Sequence, residues 1–213
     1  METQHVHDVY DQIASHFDTT RYGLWGGVTK YLESIPPNSH VLDIGTGNGK
    51  ALGLRKDCIM YACDTCEKLI NIAKQKHPHA NIIVANGKAL PYQSTTFDAV
   101  LSVAVLHHLT SQDSRHAFLK EMHRVLKPGG RAFITVWAKD AKKPKWKPVN
   151  NVNNDSDFLV PWTDKSGNIF WRYYHLFDQE EIIALVQEQT LFEIEKIAKE
   201  TENWHLTLKK HSI

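Results

Sequence analysis

The chain has 213 residues, 42% hydrophobic and 10% aromatic, which fits one globular α/β domain over residues 1–213 and excludes a disordered or fibrous chain. With 25 Lys and Arg against 24 Asp and Glu, the net charge is +1, so contact with nucleic acid must come from a local patch. The longest apolar run, residues 99–106, is strand length and far below the roughly 20 residues that span a bilayer. Residues 1–12 lack the apolar centre of a secretory signal, so no membrane partner is expected; the cytosol is the expected compartment, with the nucleus also open.

Val6, Val9, Tyr10, Ile13, Ala14 and Phe17 recur at helical spacing and predict an amphipathic N-terminal helix. After Pro36-Pro37, residues 40–44 read as a first strand, followed by a glycine loop and a short helix that must end before Cys58. Residues 59–64 form a second strand. Residues 66–76 follow as a helix with Leu69, Ile70 and Ala73 inward, stopped by His77-Pro78 before a third strand at 81–85. Residues 97–104 are apolar enough for a central strand buried on both faces.

A helix at 111–126, the turn KPGG at 127–130 and a fifth strand at 131–137 come next. The chain closes with a helix at 178–190 and two strand-like runs, 191–198 and 204–209, close enough for an antiparallel hairpin. The expected fold is therefore α/β: a doubly wound, mostly parallel Rossmann-like sheet with an antiparallel C-terminal hairpin, the class I methyltransferase order. Cys63 and Cys66 have CxxC spacing, but no second pair exists and CIMYACD reads as a buried strand, so no metal is expected.

The loop VLDIGTGNGKAL at 41–52 sets three glycines behind Asp43. A dinucleotide GxGxxG would need glycine where Lys50 stands, and a P-loop would need four residues between its first glycine and Gly-Lys, where this chain has three. What remains is DxGxGxG, in which Gly45, Gly47 and Gly49 permit close backbone approach and Asp43 accepts from an ammonium group. That suits S-adenosylmethionine, which carries no phosphate. The same loop also reads as a plain glycine turn.

Ligands of such sheets bind at the carboxyl ends of strands. Strand two ends in Asp64, suited to ribose hydroxyls, and strand three is followed by Asn86-Gly87, where an amide oxygen faces adenine or simply makes a turn. Strand four ends at Ser102, Val103 and Ala104, with His107 and His108 beyond. Adjacent residues of an extended segment point to opposite faces, so one histidine is expected toward substrate and one toward packing. Tyr10 is placed to reach the cofactor from the N-terminal helix.

Six segments carry a family resemblance: VYDQIASHFDTTRYGLW at 9–25, VLDIGTGNGK at 41–50, SVAVLHHL at 102–109, FLVPW at 158–162, RYYHLF at 172–177 and ENWHLTLKK at 202–210. Together they resemble the eukaryotic tRNA wobble-uridine carboxymethyl methyltransferases. The resemblance implies methyl transfer to the carboxylate of 5-carboxymethyluridine, or its 2-thio form, in a tRNA anticodon loop. It also implies a small zinc-binding activator protein as heterodimer partner, for which the third strand, as sheet edge, offers a docking line.

On that resemblance Arg21, in TRYxxW, is expected to grip the carboxylate or a neighbouring phosphate. Tyr173, Tyr174 and His175 either close over the flipped base or belong to a core strand, with Tyr173, His175 and Phe177 on one face and Tyr174 on the other. Two departures stand out. Asn86 replaces the usual aspartate of the family, and the segment between Trp137 and Phe158 is short, its Lys139, Lys142, Lys143, Lys145 and Lys147 reading equally as an RNA contact or a solvated loop. A small-molecule methyltransferase and a catalytically inactive cofactor-binding adaptor are the competing readings.

Overall fold

The computed structural model describes residues 1–20, 23–149, 155–188 and 192–212. A seven-stranded sheet forms the centre, in the order β3-β2-β1-β4-β5-β10-β9. Its parallel part comprises β1 (His40–Ile44), β2 (Ile59–Asp64), β3 (Asn81–Val84), β4 (Phe97–Val103) and β5 (Leu126–Trp137). The hairpin of β9 (Phe192–Glu200) and β10 (Asn203–Lys210) adds antiparallel to β5.

Side-chain alternation divides the core between the two faces of this sheet. Leu42, Ile44, Val100 and Ile134 face one layer, with Phe118, Leu119 and Met122 of α4 (Gln112–Val125). Val41, Ala99, Leu101 and Phe133 face the other, with Val28 and Leu32 of α2 (Gly26–Glu33) and Ile70 and Ala73 of α3 (Glu67–Lys76). Cover on both faces explains the continuous apolar run in β4. Ser111 caps α4 by accepting from Ser114 N at 3.1 Å, and Asp178 caps α5 (Gln179–Gln187) by accepting from Glu181 N at 2.8 Å.

The predicted N-terminal helix is α1 (Asp8–Thr19), preceded by a π-helical turn, Thr3–His7. Val9, Ile13 and Ala14 are buried, and Ala14, Tyr10 and Phe17 pack with Cys66 and Leu69 beside α3. Cys66 is the N-cap residue of α3, with Sγ 3.1 Å from Asp11 Oδ1. No helix among the described residues is long and apolar enough to cross a membrane.

Three sequence expectations are corrected. No helix follows the glycine loop: Gly49 N, Leu52 N and Leu54 N each donate to a carbonyl three residues back, making successive tight turns. KPGG is not a separating turn but the start of β5, where Gly129 at φ +74° and a register shift between Phe97 and Ala99 absorb the irregularity as a bulge. His107 and His108 lie in a 3-10 turn, Leu106–His108, with ring centroids only 4.5 Å apart, so the opposite-face argument for an extended segment does not apply.

A second, three-stranded antiparallel sheet was not anticipated: β6 (Lys147–Pro148), β7 (Asp157–Thr163) and β8 (Ile169–His175). It has its own apolar cluster of Trp146, Phe158, Val160, Tyr174 and Leu176, against which Trp137 of β5 packs. This small sheet roofs the carboxyl end of β4. Residues 189–191, which join the predicted final helix to the hairpin, lie outside the described residues.

Candidate active site

A cavity opens at the carboxyl ends of β1, β2 and β4, at the switch point where the strand order reverses. Its floor is the glycine loop. Gly45 has φ +77°, and a Cβ there would lie 2.2 Å from Val105 Cγ2, so only glycine fits. Gly45 N and Thr46 N both donate to Cys63 O, at 2.8 and 3.0 Å, tying the loop to the end of β2. Asp64 accepts from Gly47 N and Cys66 N, each at 2.9 Å, and so holds the loop and the start of α3 together.

The loop end of the cavity is acidic. Burial pushes the Asp43 carboxyl up to about 7, an effect opposed by Thr46 and reinforced by the neighbouring Asp64. Asp64 is also raised by burial, against which the N–H groups of Cys66, Gly47 and Thr65 act. Two buried carboxyls side by side favour a cationic ligand. The opposite wall comes from the N-terminus, where Glu2 accepts from Lys88 Nζ at 2.6 Å and His7 Nδ1 lies 3.1 Å from Thr65 Oγ1. Hydrogen bonding to His7, then the Lys88 ammonium, outweigh burial and hold the Glu2 carboxyl down at about 2.

The far end is formed by Val103, Ala104, Val105, His108, Trp137 and Tyr174. Ala104 is left-handed, at φ +61°, and its N–H donates to Thr135 Oγ1 at 2.9 Å. A non-glycine residue in that region carries strain that its surroundings must hold. The His108 ring is fixed at both nitrogens: Nδ1 lies 2.8 Å from Tyr173 O and Nε2 lies 3.0 Å from the Tyr10 hydroxyl. A carbonyl only accepts, so Nδ1 carries the proton and, in the neutral ring, Nε2 receives the Tyr10 O–H.

Residues 42–134 match the model of the methyltransferase domain family. A tRNA (carboxymethyluridine(34)-5-O)-methyltransferase of Arabidopsis thaliana is 43% identical over 154 residues, 70% of this chain and 38% of that protein. The protein of the same description in Schizosaccharomyces pombe is 36% identical over 205 residues, covering 87% of this chain and 88% of its own length. The chain belongs to this tRNA (carboxymethyluridine(34)-5-O)-methyltransferase family. It spans well under half the length of the Arabidopsis relative. Among solved structures, a chain of the complex between the Haloferax volcanii Trm112 methyltransferase activator and a methyltransferase superposes with a TM-score of 0.72 at 14% identity, covering 97% of each chain. That likeness shows the fold, the class I methyltransferase fold expected above.

In this family member, nine of the residues singled out by sequence line one cavity: Tyr10, Asp43, Gly45, Gly47, Asp64, Asn86, Val103, His108 and Tyr174. Asn86 Oδ1 accepts from Lys88 N at 2.9 Å, so the turn role and the cavity position coincide. Ser102 and His107 are fully buried and stand outside the lining, His107 against Tyr174 with ring centroids 4.6 Å apart. His175 also stands outside it. Its ring bridges Asp157 and Glu181, both at 2.6 Å, and so ties β8 to β7 and α5. Arg21 lies outside the described residues.

Sequence reasoning missed Glu2, His7 and Trp137, all of which line the cavity. Trp137 could have been found, since it ends the strand beside β4. Glu2 and His7 gave no signal, because their role depends on how the N-terminal turn lies across Thr65 and Lys88.

Proposed function

We propose that this protein transfers a methyl group from S-adenosylmethionine to the carboxylate of 5-carboxymethyluridine, or its 2-thio form, at the wobble position of a tRNA anticodon loop, as a single domain. The observation that carries the reading is one cavity joining a cation-seeking glycine loop to an aromatic, strained far end, in a chain of this family. The residues fit the cofactor: the glycine at 45 leaves the room a Cβ would fill, and two buried acids await a cationic amino acid and a ribose. When bound, S-adenosylmethionine would supply an electrophilic methyl group on a sulfonium, open to in-line attack by an oxygen anion as the S–CH3 bond breaks and the neutral thioether leaves.

Asp43 pairs with the ammonium group, Asp64 accepts from the ribose hydroxyls and Asn86 offers its remaining lone pair to the adenine amine. Ser102 supports this end from behind the lining. Val103, His108 and Tyr174 shape the acceptor end, with Tyr10 closing it from α1. No residue need act as base, because a carboxylate with a reference value of about 4 is already ionised at neutral pH. The chain's task is alignment and exclusion of water, and alignment of two reactants is worth about 7–11 kcal/mol. Arg21 serves the acceptor side, at the carboxylate or a neighbouring phosphate. His107 and His175 act by holding Tyr174 and β8.

A Trm112-type, zinc-binding activator is proposed as heterodimer partner, docked along β3. That strand is the sheet edge, and Val84 at its end is 51% exposed. Cytosol is the proposed compartment.

The decisive assay is incubation with labelled methyl donor and bulk tRNA from cells lacking the activity, with and without activator, followed by nucleoside analysis. Label in the methyl ester of 5-carboxymethyluridine is expected. Label in small molecules alone would favour the small-molecule reading, and cofactor binding without any transfer would favour the adaptor. Hydrogen exchange unchanged over residues 81–84 when activator is added would exclude docking there.

A further inference from the structure

Arg172 is the anomaly among the buried arginines of the described residues. Arg55 and Arg115 are also buried, yet Arg55 donates to both oxygens of Asp57 and Arg115 donates to Leu109 O at 2.9 Å. Arg172, in β8, is 5% exposed, and its Nε and Nη1 are sealed from solvent without a hydrogen-bond partner. No carboxylate among the described residues pairs with it. What surrounds it is aromatic: its Cζ lies 4.9 Å from the Trp162 ring centroid and 5.1 Å from that of Tyr174, with the Tyr10 hydroxyl beside it.

Ring faces attract the flat side of a guanidinium. They leave Nε and Nη1, which donate in the plane of the group, unused. A buried cation with two unspent donors is costly to keep, and an arriving anion offsets that cost. The position says which anion. Tyr10 and Tyr174 both flank Arg172 and both line the acceptor end of the cavity, so the guanidinium borders that end across one layer of side chain. A planar carboxylate matches its fork with two parallel bonds.

We propose that Arg172 is the carboxylate subsite: the entering acceptor displaces the Tyr10 and Tyr174 side chains that separate Arg172 from the cavity, and the guanidinium then receives its carboxymethyl group and orients one oxygen toward the methyl donor. The inference rests on the proposed function for the identity of the acceptor. It also completes the stack, because Trp162 is itself fixed by donation from Nε1 to His16 Nδ1 at 3.1 Å.

The test compares two probes, the nucleosides 5-carboxymethyluridine and its neutral primary amide, by calorimetry on the full chain. The wild type should bind the acid at least about tenfold more tightly, the value of one charge-assisted contact. Arg172→Met, which fills the slot without charge, should bring that ratio to about one, keep cofactor affinity within about twofold, and melt at or above the wild-type temperature because a buried unpaired charge is gone. Arg172→Lys, keeping charge but losing the fork, should retain less than about half of the preference. A preference intact in Arg172→Met, the full preference in Arg172→Lys, or no preference in the wild type would each overturn the inference. Acid preference without tRNA methylation would instead sink the proposed reaction and leave the subsite standing.

Discussion

The Tyr10 hydroxyl lies 3.0 Å from Nε2 of His108, joining the N-terminal helix to the turn after β4 at the acceptor end of the cavity. Tyr10→Phe keeps the ring and its edge contact with Phe17 but removes that bond. A net hydrogen bond is worth about 1 kcal/mol, so kcat for tRNA should fall roughly fivefold with cofactor affinity unchanged. Steady-state kinetics beside cofactor titration would check the split.

Asp64→Ala should abolish measurable cofactor binding. The side chain does two jobs: it holds Gly47 N and Cys66 N, and its remaining lone pairs are those proposed for the ribose. Hydrogen bonds to a charged group are worth about 1.5–3 kcal/mol each, so loss of two or more takes affinity down by at least a hundredfold. Titration calorimetry on a variant with unchanged far-ultraviolet dichroism decides it; near-normal affinity would defeat the assignment.

Asp43 gives cofactor binding a pH dependence. Burial raises its carboxyl from an ordinary 3.8 to about 7, so between those values the folded protein keeps a proton that the unfolded chain has lost. Stability from this group is therefore greatest at low pH and falls as pH rises through that window. A cationic ammonium favours the ionised form, so affinity should rise by up to about tenfold per pH unit toward 7 and level there. Calorimetry at pH 6 in buffers of different ionisation enthalpy should show proton release; equal heats would refute it.

The His175 network makes a separate prediction about stability. Burial depresses the His175 imidazole, but the hydrogen bonds it donates to Asp157 and Glu181 prevail and raise it above its ordinary value of 6.5. The raised value means that the charged ring's contribution is fully present below about pH 6.5 and is lost as pH rises through the folded value. His175→Ala leaves Asp157 buried without its cationic partner and should cost about 3 kcal/mol, most visibly in acid. Thermal melts at pH 6 and pH 9 should differ more for the wild type than for the variant.

The lysine loop divides on inspection. Lys139 pairs with Asp155 at 2.6 Å and Lys143 with Glu202 at 3.0 Å, whereas Lys142 and Lys147 lie over Phe158 and Trp171. Lys142→Ala with Lys145→Ala should reduce the salt slope of tRNA binding by up to about 1.4 if both meet single-strand phosphates, and Lys143→Ala should change it less. Filter binding across a salt series would show which lysines are spent on the protein itself.

Much of the sheet was legible because a short apolar run bounded by turn residues is a local signal: β1 and β2 were expected at the residues where they lie. The C-terminal hairpin followed from two such runs joined by a short turn. The small sheet was not legible. Pro161 interrupts the apolar run of β7, β6 is two residues long, and the partners that align them are distant in sequence. The cofactor half of the site lay in strand ends and glycines, where position implies role. Arg172 sat in the RYYHLF segment without notice, since only its two buried, unsatisfied donors mark it, and that is a property of three-dimensional neighbours.

The insertion of β10 between β5 and β9 bears on how the chain is made. A ribosome delivers β5 well before the strand that seals it, and about 65 residues separate Trp137 from Asn203. At roughly 5–20 residues per second that interval is about 3–13 s, during which the nascent polypeptide presents an unpaired, apolar strand to its surroundings. Slowed translation of the last third, or premature termination before residue 203, should therefore send this protein to chaperones and aggregates, even though every residue lining its cavity has by then been synthesised.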